Sequence, residues 1–313
     1  IKSTSTIHPA AAAAPSASAA ATGAIVTIYD VSTLKRRKVL QMTSCDLTSP
    51  EFVSLSFSAD GKSLITQTSA PEHALVYWHW ERAKQVAVFK PTGVFASSPV
   101  SQASLNPHDA QVICTTGDGV CRFLRLTESG LKPLPGPLGK REPQQYLCHV
   151  WVSEDRAVVA TDSGELLLLE AGELKATLGS SPADGKTIDS IVCYSKGFVC
   201  GAQGGVVYVF EKSDERGEYY RRAKSFAVEG HDAKILSRAV SPSEEQLVCT
   251  LADSQAYVLT LSNADILKAD EMNFDLLAHP LHHGAISGLA ACGRKPLVAT
   301  GGRGRSVRAW NSC

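Results

Sequence analysis

The chain repeats itself, and that repeat restricts its possible folds more than any single residue does. A short apolar strand ending in a small polar turn recurs as VSLSFSADG, VSQASLNPHD, CHVWVSEDR, SIVCYSKG, SRAVSPSEE and GLAACGRKP. The last apolar residues before these turns are Phe57, Leu105, Val152, Tyr194, Val240 and Ala291, at spacings of 42 to 51 residues. A second strand follows each turn (SLITQT, QVICTT, AVVAT, FVCGA, QLVCTL, LVATGG), then a short polar loop and a third strand. The third strands end at Tyr29, Trp80, Leu126, Leu169, Phe210, Leu261 and Trp310, which makes seven units.

β-Branched and aromatic residues in short runs, punctuated by Gly, Asp, Pro and Ser, favour strands over helices. A period of roughly 40 to 50 residues is that of a propeller blade, so the sequence predicts an all-β propeller over residues 24–313. The first unit shows only a third strand at residues 25–30 and a fourth at 37–42, while the last, 285–313, shows three strands and no fourth. The expectation is seven blades, the first lacking two strands and the last lacking one, with the three missing strands lying upstream of Ile1 and exposed edges beside Ile25 and Trp310. Restoring upstream residues is then expected to raise the melting temperature. Residues 1–23, polar and Ala-rich, read as a disordered loop.

Composition narrows the function classes. Lys and Arg number 31, as do Asp and Glu, so no whole-protein field draws the chain to nucleic acid or anionic lipid. No apolar run approaches the ~18 residues of a membrane-spanning helix. Nine scattered cysteines without a C-x-x-C motif point away from disulfide scaffolds and zinc knuckles and towards a reducing, intracellular compartment.

The chain lacks G-x-S-x-G, H-E-x-x-H and G-x-x-x-x-G-K-[ST], so neither a nucleophile elbow, a zincin site nor a phosphate loop is available. His279, His282 and His283 form the one dense imidazole cluster, without a carboxylate near by to complete a metal site. The expectation is therefore a non-enzyme without cofactor or metal. Basic runs at Lys35 to Lys38, at Arg221, Arg222 and Lys224, and at Arg303, Arg305 and Arg308 read as solvated strand edges or as surfaces for an acidic partner. Aromatics are not interleaved with them, which disfavours nucleic acid.

Two segments depart from the repeat. Residues 262–273 (SNADILKADEMN) lengthen a connection after a third strand, carry a short-helix signature, and offer Ile266 and Leu267 as apolar anchors for a partner. Residues 131–145 hold four prolines where a fourth strand belongs, which suits only an outer edge.

Within the repeat, Gly230-His231 before a first strand, SADGK and SPSEE at turns, and VRAWN closing a third strand resemble WD-repeat blades. That resemblance implies a buried His, Ser/Thr, Asp and Trp set bracing each blade. Here His283, Thr300 and Trp310 could serve in the last unit, with Gly304 where the Asp is expected. Elsewhere Trp80, His231 and Phe210 occupy brace positions, Phe210-Glu211 replacing Trp-Asp, so most braces are expected to be absent.

Longer strings are more specific. TIYDVSTLKRRKVL, FVSLSFSADGKSLITQTSAPEHALVYWHWERAKQVA and RKPLVATGGRGRSVRAWN resemble the amino-terminal propeller region of the cilia- and flagella-associated protein fifty-seven family. The resemblance implies a scaffold of the ciliary or flagellar axoneme, docking inner-arm dyneins or regulatory complexes on doublet microtubules, with a coiled coil beyond this chain through which it could self-associate. The alternative is a cytoplasmic WD adaptor reading peptides or degrons. Arg303 and Arg305, set among glycines in the last turn, are the candidate docking cations.

Overall fold

The computed structural model describes residues 24–311 apart from 43–46, 93–97, 137, 140, 179–183, 229–234, 242, 253–254, 262–273, 278–281, 283–285, 293–294, 296 and 304. The Ala-rich tract 1–23, the insertion with Ile266 and Leu267, and His231 and His283 lie outside the described residues.

The described strands form seven antiparallel sheets in chain order. Sheet 1 pairs β1 (Ile25–Tyr29) with β2 (Arg36–Gln41). Sheet 2 holds β3 (Phe52–Phe57), β4 (Leu64–Thr68), β5 (Leu75–His79) and β6 (Lys84–Phe89). Sheet 3 holds β7 (Val100–Leu105), β8 (Val112–Gly117), β9 (Val120–Thr127) and β10 (Gly130–Pro133). Sheet 4 holds β11 (Tyr146–Trp151), β12 (Arg156–Thr161), β13 (Leu166–Glu170) and β14 (Glu173–Thr177). Sheet 5 holds β15 (Ile188–Tyr194), β16 (Gly197–Ala202), β17 (Val206–Lys212) and β18 (Tyr220–Ala227). Sheet 6 holds β19 (Ile235–Val240), β20 (Gln246–Leu251), β21 (Ala256–Thr260) and β22 (Asp275–Leu276). Sheet 7 has three strands, β23 (Ile286–Ala291), β24 (Leu297–Gly302) and β25 (Val307–Asn311). Each strand pairs with its sequence neighbour, so every sheet is a meander, and the first strands of sheets 2 to 6 lie side by side from one sheet to the next.

Strand alternation explains how the sheets stack. Successive side chains point to opposite faces. Leu64 of β4 joins Val26, Leu40 and Trp78 between sheets 1 and 2, while its neighbour Ile65 joins Ala103, Leu105, Ile113 and Leu124 between sheets 2 and 3. In the same way Val159 packs with Phe123 and Trp151 between sheets 3 and 4, and Val158 with Ile188 and Phe198 between sheets 4 and 5. Val199 continues the series with Leu247 and Leu259 between sheets 5 and 6. Strands buried on both faces carry no polar alternation, which is why β8 and β16 are buried at every residue. This face-to-face stacking of four-stranded meanders is β-propeller packing. The outer strand β10 ends at Pro133 and pairs only with β9, so the proline's missing N–H costs no ladder bond.

Sheets 1 and 7 are less covered. Ile25 is 47% exposed and Leu289 74%, and β23 is exposed along its whole length. Among the described residues β1 pairs only with β2, and β25 only with β24.

A polar network crosses the seam between sheets 3 and 4. His149 on β11 is buried, with Nε2 at 2.7 Å from Ser104 Oγ and Nδ1 at 2.8 Å from Thr116 Oγ1. Trp151 Nε1 donates to Ser104 Oγ at 3.0 Å, and the Gln102 side chain forms a two-way amide pair with the His149 backbone, both bonds at 3.0 Å. One consistent proton order runs from the Trp151 indole to the Ser104 hydroxyl, on to Nε2, and from Nδ1–H to Thr116. All of these groups are neutral, and burial pushes the imidazole down to about 3 from its ordinary 6.5.

The unfolded chain therefore takes up a proton on this histidine near pH 6.5 that the folded protein refuses until about pH 3. Its contribution is complete above pH 6.5 and is lost as the pH falls through that window, with a slope approaching about 1.4 kcal/mol per pH unit. H149Q should cost about 1–3 kcal/mol at neutral pH. It should also flatten the dependence of unfolding free energy between pH 5 and pH 7, as measured by denaturant titration. An unchanged slope would show that His149 is not the titrating group.

Candidate docking turns and the braces that hold them

The turn between β24 and β25 is held by four side chains. His282, buried, places Nε2 at 2.6 Å from Thr300 Oγ1 and Nδ1 at 3.2 Å from Ser306 Oγ. Trp310 Nε1 donates to the same Thr300 oxygen at 2.7 Å. The imidazole in this brace is that of His282, one residue before His283, and Ser306 supplies the bond expected from an Asp. Gly302 is required beside it, because a Cβ there would stand 2.7 Å from His282 Nδ1. The backbone closes through Gly302 N to Ser306 O and Arg305 N to Gly302 O, each 3.2 Å, with Arg305 left-handed at φ 58°. Arg303 and Arg305 both project from this braced turn, exposed.

Sheet 2 solves the same problem with different residues. The indole that reaches the second strand is Trp78, buried, whose Nε1 donates to Thr66 Oγ1 at 3.0 Å. Trp80 falls beyond β5, in a single 3-10 turn (Trp80–Arg82), and donates instead to Gly61 O at 2.6 Å. In place of the His–Asp pair, Glu72 accepts from Thr48 N at 2.9 Å, Thr48 Oγ1 at 2.6 Å, Ser49 N at 2.9 Å and the Ser49 hydroxyl. Desolvation pulls this carboxyl upward, but the hydrogen bonds, led by those of the Ser49 and Thr48 hydroxyls, outweigh it and hold Glu72 down to about 2. No sequence pattern flagged Thr48, Ser49 or Glu72. Glu72 does lie in the APEHALVYWHWE loop, the string that sets this chain apart from generic blades.

Sheet 5 has no indole. Phe210, buried, stacks on Phe198 with centroids 5.0 Å apart, and Tyr220 meets Phe198 edge-on at 5.1 Å. Here an aromatic cluster substitutes for the polar brace.

None of this is catalytic geometry. Among the described residues no group of three or more His, Cys, Asp or Glu is placed to hold a metal ion. Among the described residues one cleft of about 340 Å³ opens between β1 and β3, lined by residues such as Ile25, Glu51 and Phe52, and another of about 230 Å³ lies where sheets 3 and 4 meet near Gly117 and Tyr146. Neither gathers an acid and a base.

The two Trp–Thr braces differ in burial, and that difference should be measurable. T66V leaves the wholly buried Trp78 indole unpaired and should cost about 1–3 kcal/mol in denaturant unfolding. T300V leaves the half-exposed Trp310 able to reach water and should cost less. E72Q should remove stability that is present above about pH 4.5 and that the wild type loses as the pH falls towards about 2. Equal losses for T66V and T300V would mean that indole burial does not set the cost.

No family model matches the chain. Cilia- and flagella-associated protein 57 of Mus musculus is 34% identical over 338 residues, covering 91% of this chain and 27% of the mouse protein. Cilia- and flagella-associated protein 57 A of Tetrahymena thermophila is 28% identical over 284 residues, covering 86% and 22%. Cilia- and flagella-associated protein 44 of Chlamydomonas reinhardtii is 29% identical over 182 residues, 55% of this chain. Among solved structures, the β-propeller domain of Cps50 (Swd1) from Myceliophteria thermophila superposes with a TM-score of 0.65 at 16% identity, covering 92% of this chain and 90% of that one. The computationally designed protein Ika8 does so with a TM-score of 0.57, also at 16% identity, covering 93% and 79%. These two likenesses establish the propeller fold. The chain spans about a quarter of the length of the mouse relative, and over that span it belongs to the cilia- and flagella-associated protein 57 family.

Proposed function

We propose that the chain is a non-enzymatic interaction module of the ciliary or flagellar axoneme, with its propeller supporting attachment of inner-arm dyneins or their regulatory complexes to doublet microtubules. Family membership at 34% identity over 91% of the chain carries the reading. Two physical features support it. Three buried or clamped polar side chains are spent on bracing: His282 on Thr300 and Ser306, His149 on Ser104 and Thr116, and Glu72 on Thr48 and Ser49. Among the described residues the exposed cations of the sheet 7 turn make no ion pair. Arg303 and Arg305 are the residues on which docking to an acidic axonemal surface is proposed to depend.

Exposed charges contribute only about 0–1 kcal/mol to folding, so reversing them should leave the fold intact. R303E/R305E should therefore unfold at the wild-type midpoint yet bind isolated axonemes far more weakly, and wild-type binding should fall as salt is added. Undiminished incorporation of the double variant would remove these arginines from the docking surface. Exclusion of the tagged wild-type protein from cilia would overturn the axonemal reading itself.

A further inference from the structure

The β1–β2 hairpin carries a surface that its own packing does not use. Only one stripe of it is committed: Val26 and Leu40 pack onto sheet 2 with Leu64 and Trp78. The turn is well made, with the Asp30 carboxylate accepting from Ser32 N at 3.1 Å and Thr33 N at 2.9 Å and Asp30 N bonding Lys35 O at 2.9 Å. Yet that turn presents large apolar side chains to water: Tyr29 is 59% exposed, Val31 88% and Leu34 80%. Leu34 also sits at φ 54°, a conformation that Gly or Asn adopts with less strain.

Directly after it come four exposed cations, Lys35, Arg36, Arg37 and Lys38. Arg37 makes a loose pair with Asp30 at 3.3 Å, and among the described residues Lys35, Arg36 and Lys38 have no ion pair. Outer strands elsewhere spend such charges, as Lys175 of β14 does on Glu170 at 2.7 Å and Arg222 of β18 on Asp184 at 2.8 Å. The second edge of β2 has no strand partner among the described residues, so its backbone N–H and C=O groups remain available to an added strand.

We propose that this hairpin is a docking edge for an extended acidic segment of a partner protein, which adds to β2 as a strand. The bulge at Arg37, where Arg36 pairs with Tyr29 and Lys38 with Ile28, puts Arg36 and Lys38 on opposite faces of β2, so adjacent carboxylates on the segment meet one cation on each face, while apolar residues at the segment's end cover Val31 and Leu34. Main-chain bonds give affinity, and the charge pattern selects the partner. This docking edge is independent of Arg303 and Arg305 and of the ciliary reading.

The test uses the whole chain and a fluorescent peptide of Glu-Glu pairs separated by Val and Thr, beside the same peptide with Lys for Glu. The acidic peptide should bind and the basic one should not, with affinity falling as salt rises. R36E/K38E should weaken binding at least about tenfold, and R36Q/K38Q should fall between, both at the wild-type melting temperature. Backbone amides of β2 should exchange more slowly with deuterium in the complex. Equal binding by wild type and both variants would overturn the proposal. So would protection that appears elsewhere than β2, or capture of anionic phosphatidylserine vesicles with no peptide binding.

Discussion

The contacts on which everything else rests join each residue to its counterpart one repeat further along the chain. Ser54 accepts from Ala103 N, His149 N donates to Gln102, Ser190 Oγ reaches Ile235 O and Ser195 N donates to Glu244, across separations of 49, 47, 45 and 49 residues. The repeat length in sequence is thus the step from one sheet to the next in space. These bonds line the seams whose apolar sides hold Ile65, Ile113, Val159, Phe198 and Val199, and full burial of such side chains stabilises by about 1.5–3 kcal/mol each. A lone sheet of this kind would show water two apolar faces. No sheet is therefore a folding unit, and stability is a property of neighbouring pairs.

Because seams carry the stability, the polar brace within each sheet is free to vary. Sheet 7 retains His282, Thr300 and Trp310, sheet 2 keeps the Thr–Trp bond but recruits Glu72 with Thr48 and Ser49, and sheet 5 abandons polarity for stacked Phe198 and Phe210. The His282 brace ties the segment before β23 to β24, the Glu72 clamp ties the β4–β5 loop to the segment before β3, and the aromatic pair joins β16 to β17. What matters physically is that each brace's own buried donors are paired or are replaced by apolar contact, and several residue sets satisfy that condition. The acid sensitivities differ accordingly. His149 weakens its seam below pH 6.5, whereas Glu72 releases its loop only below about pH 4.5.

Much of this was legible in the sequence, because periodicity reports which faces are buried. The strand order, the two-stranded first sheet, the three-stranded last sheet and the proline at an outer edge all follow from spacing and turn chemistry. The failures are equally physical. Trp78 and Trp80 share a strand face by alternation, so nothing local distinguishes them. The chain leaves β5 after His79, and the 3-10 turn then carries Trp80 away from the second strand. In AHPLHHG, adjacent histidines offer the same chemistry one residue apart, and the one that reaches Thr300 is His282. The His149 network and the Glu72 clamp join residues 23 to 47 positions apart, and Ser, Thr, Gln and Glu are ordinary surface residues until the fold buries them.

The same economy explains where recognition can reside. In sheets 2 to 6 second and third strands are largely occupied on both faces, and first strands are joined to their counterparts, so side chains there that are available to a partner come from turns and outer edges. The sheet 7 turn illustrates how that constraint operates. Gly302 cannot bear a side chain because His282 lies against it, so the brace itself excludes substituents there. Beyond that point Arg303 and Arg305 escape the packing, and the left-handed backbone at Arg305 holds the turn tight without burying the charge. The β1–β2 hairpin follows the same rule at a strand edge, with one stripe anchored by Val26 and Leu40 and the remainder uncommitted. A chain with equal numbers of acidic and basic side chains can in this way be neutral overall and still present separate cationic surfaces, each on a rigid support.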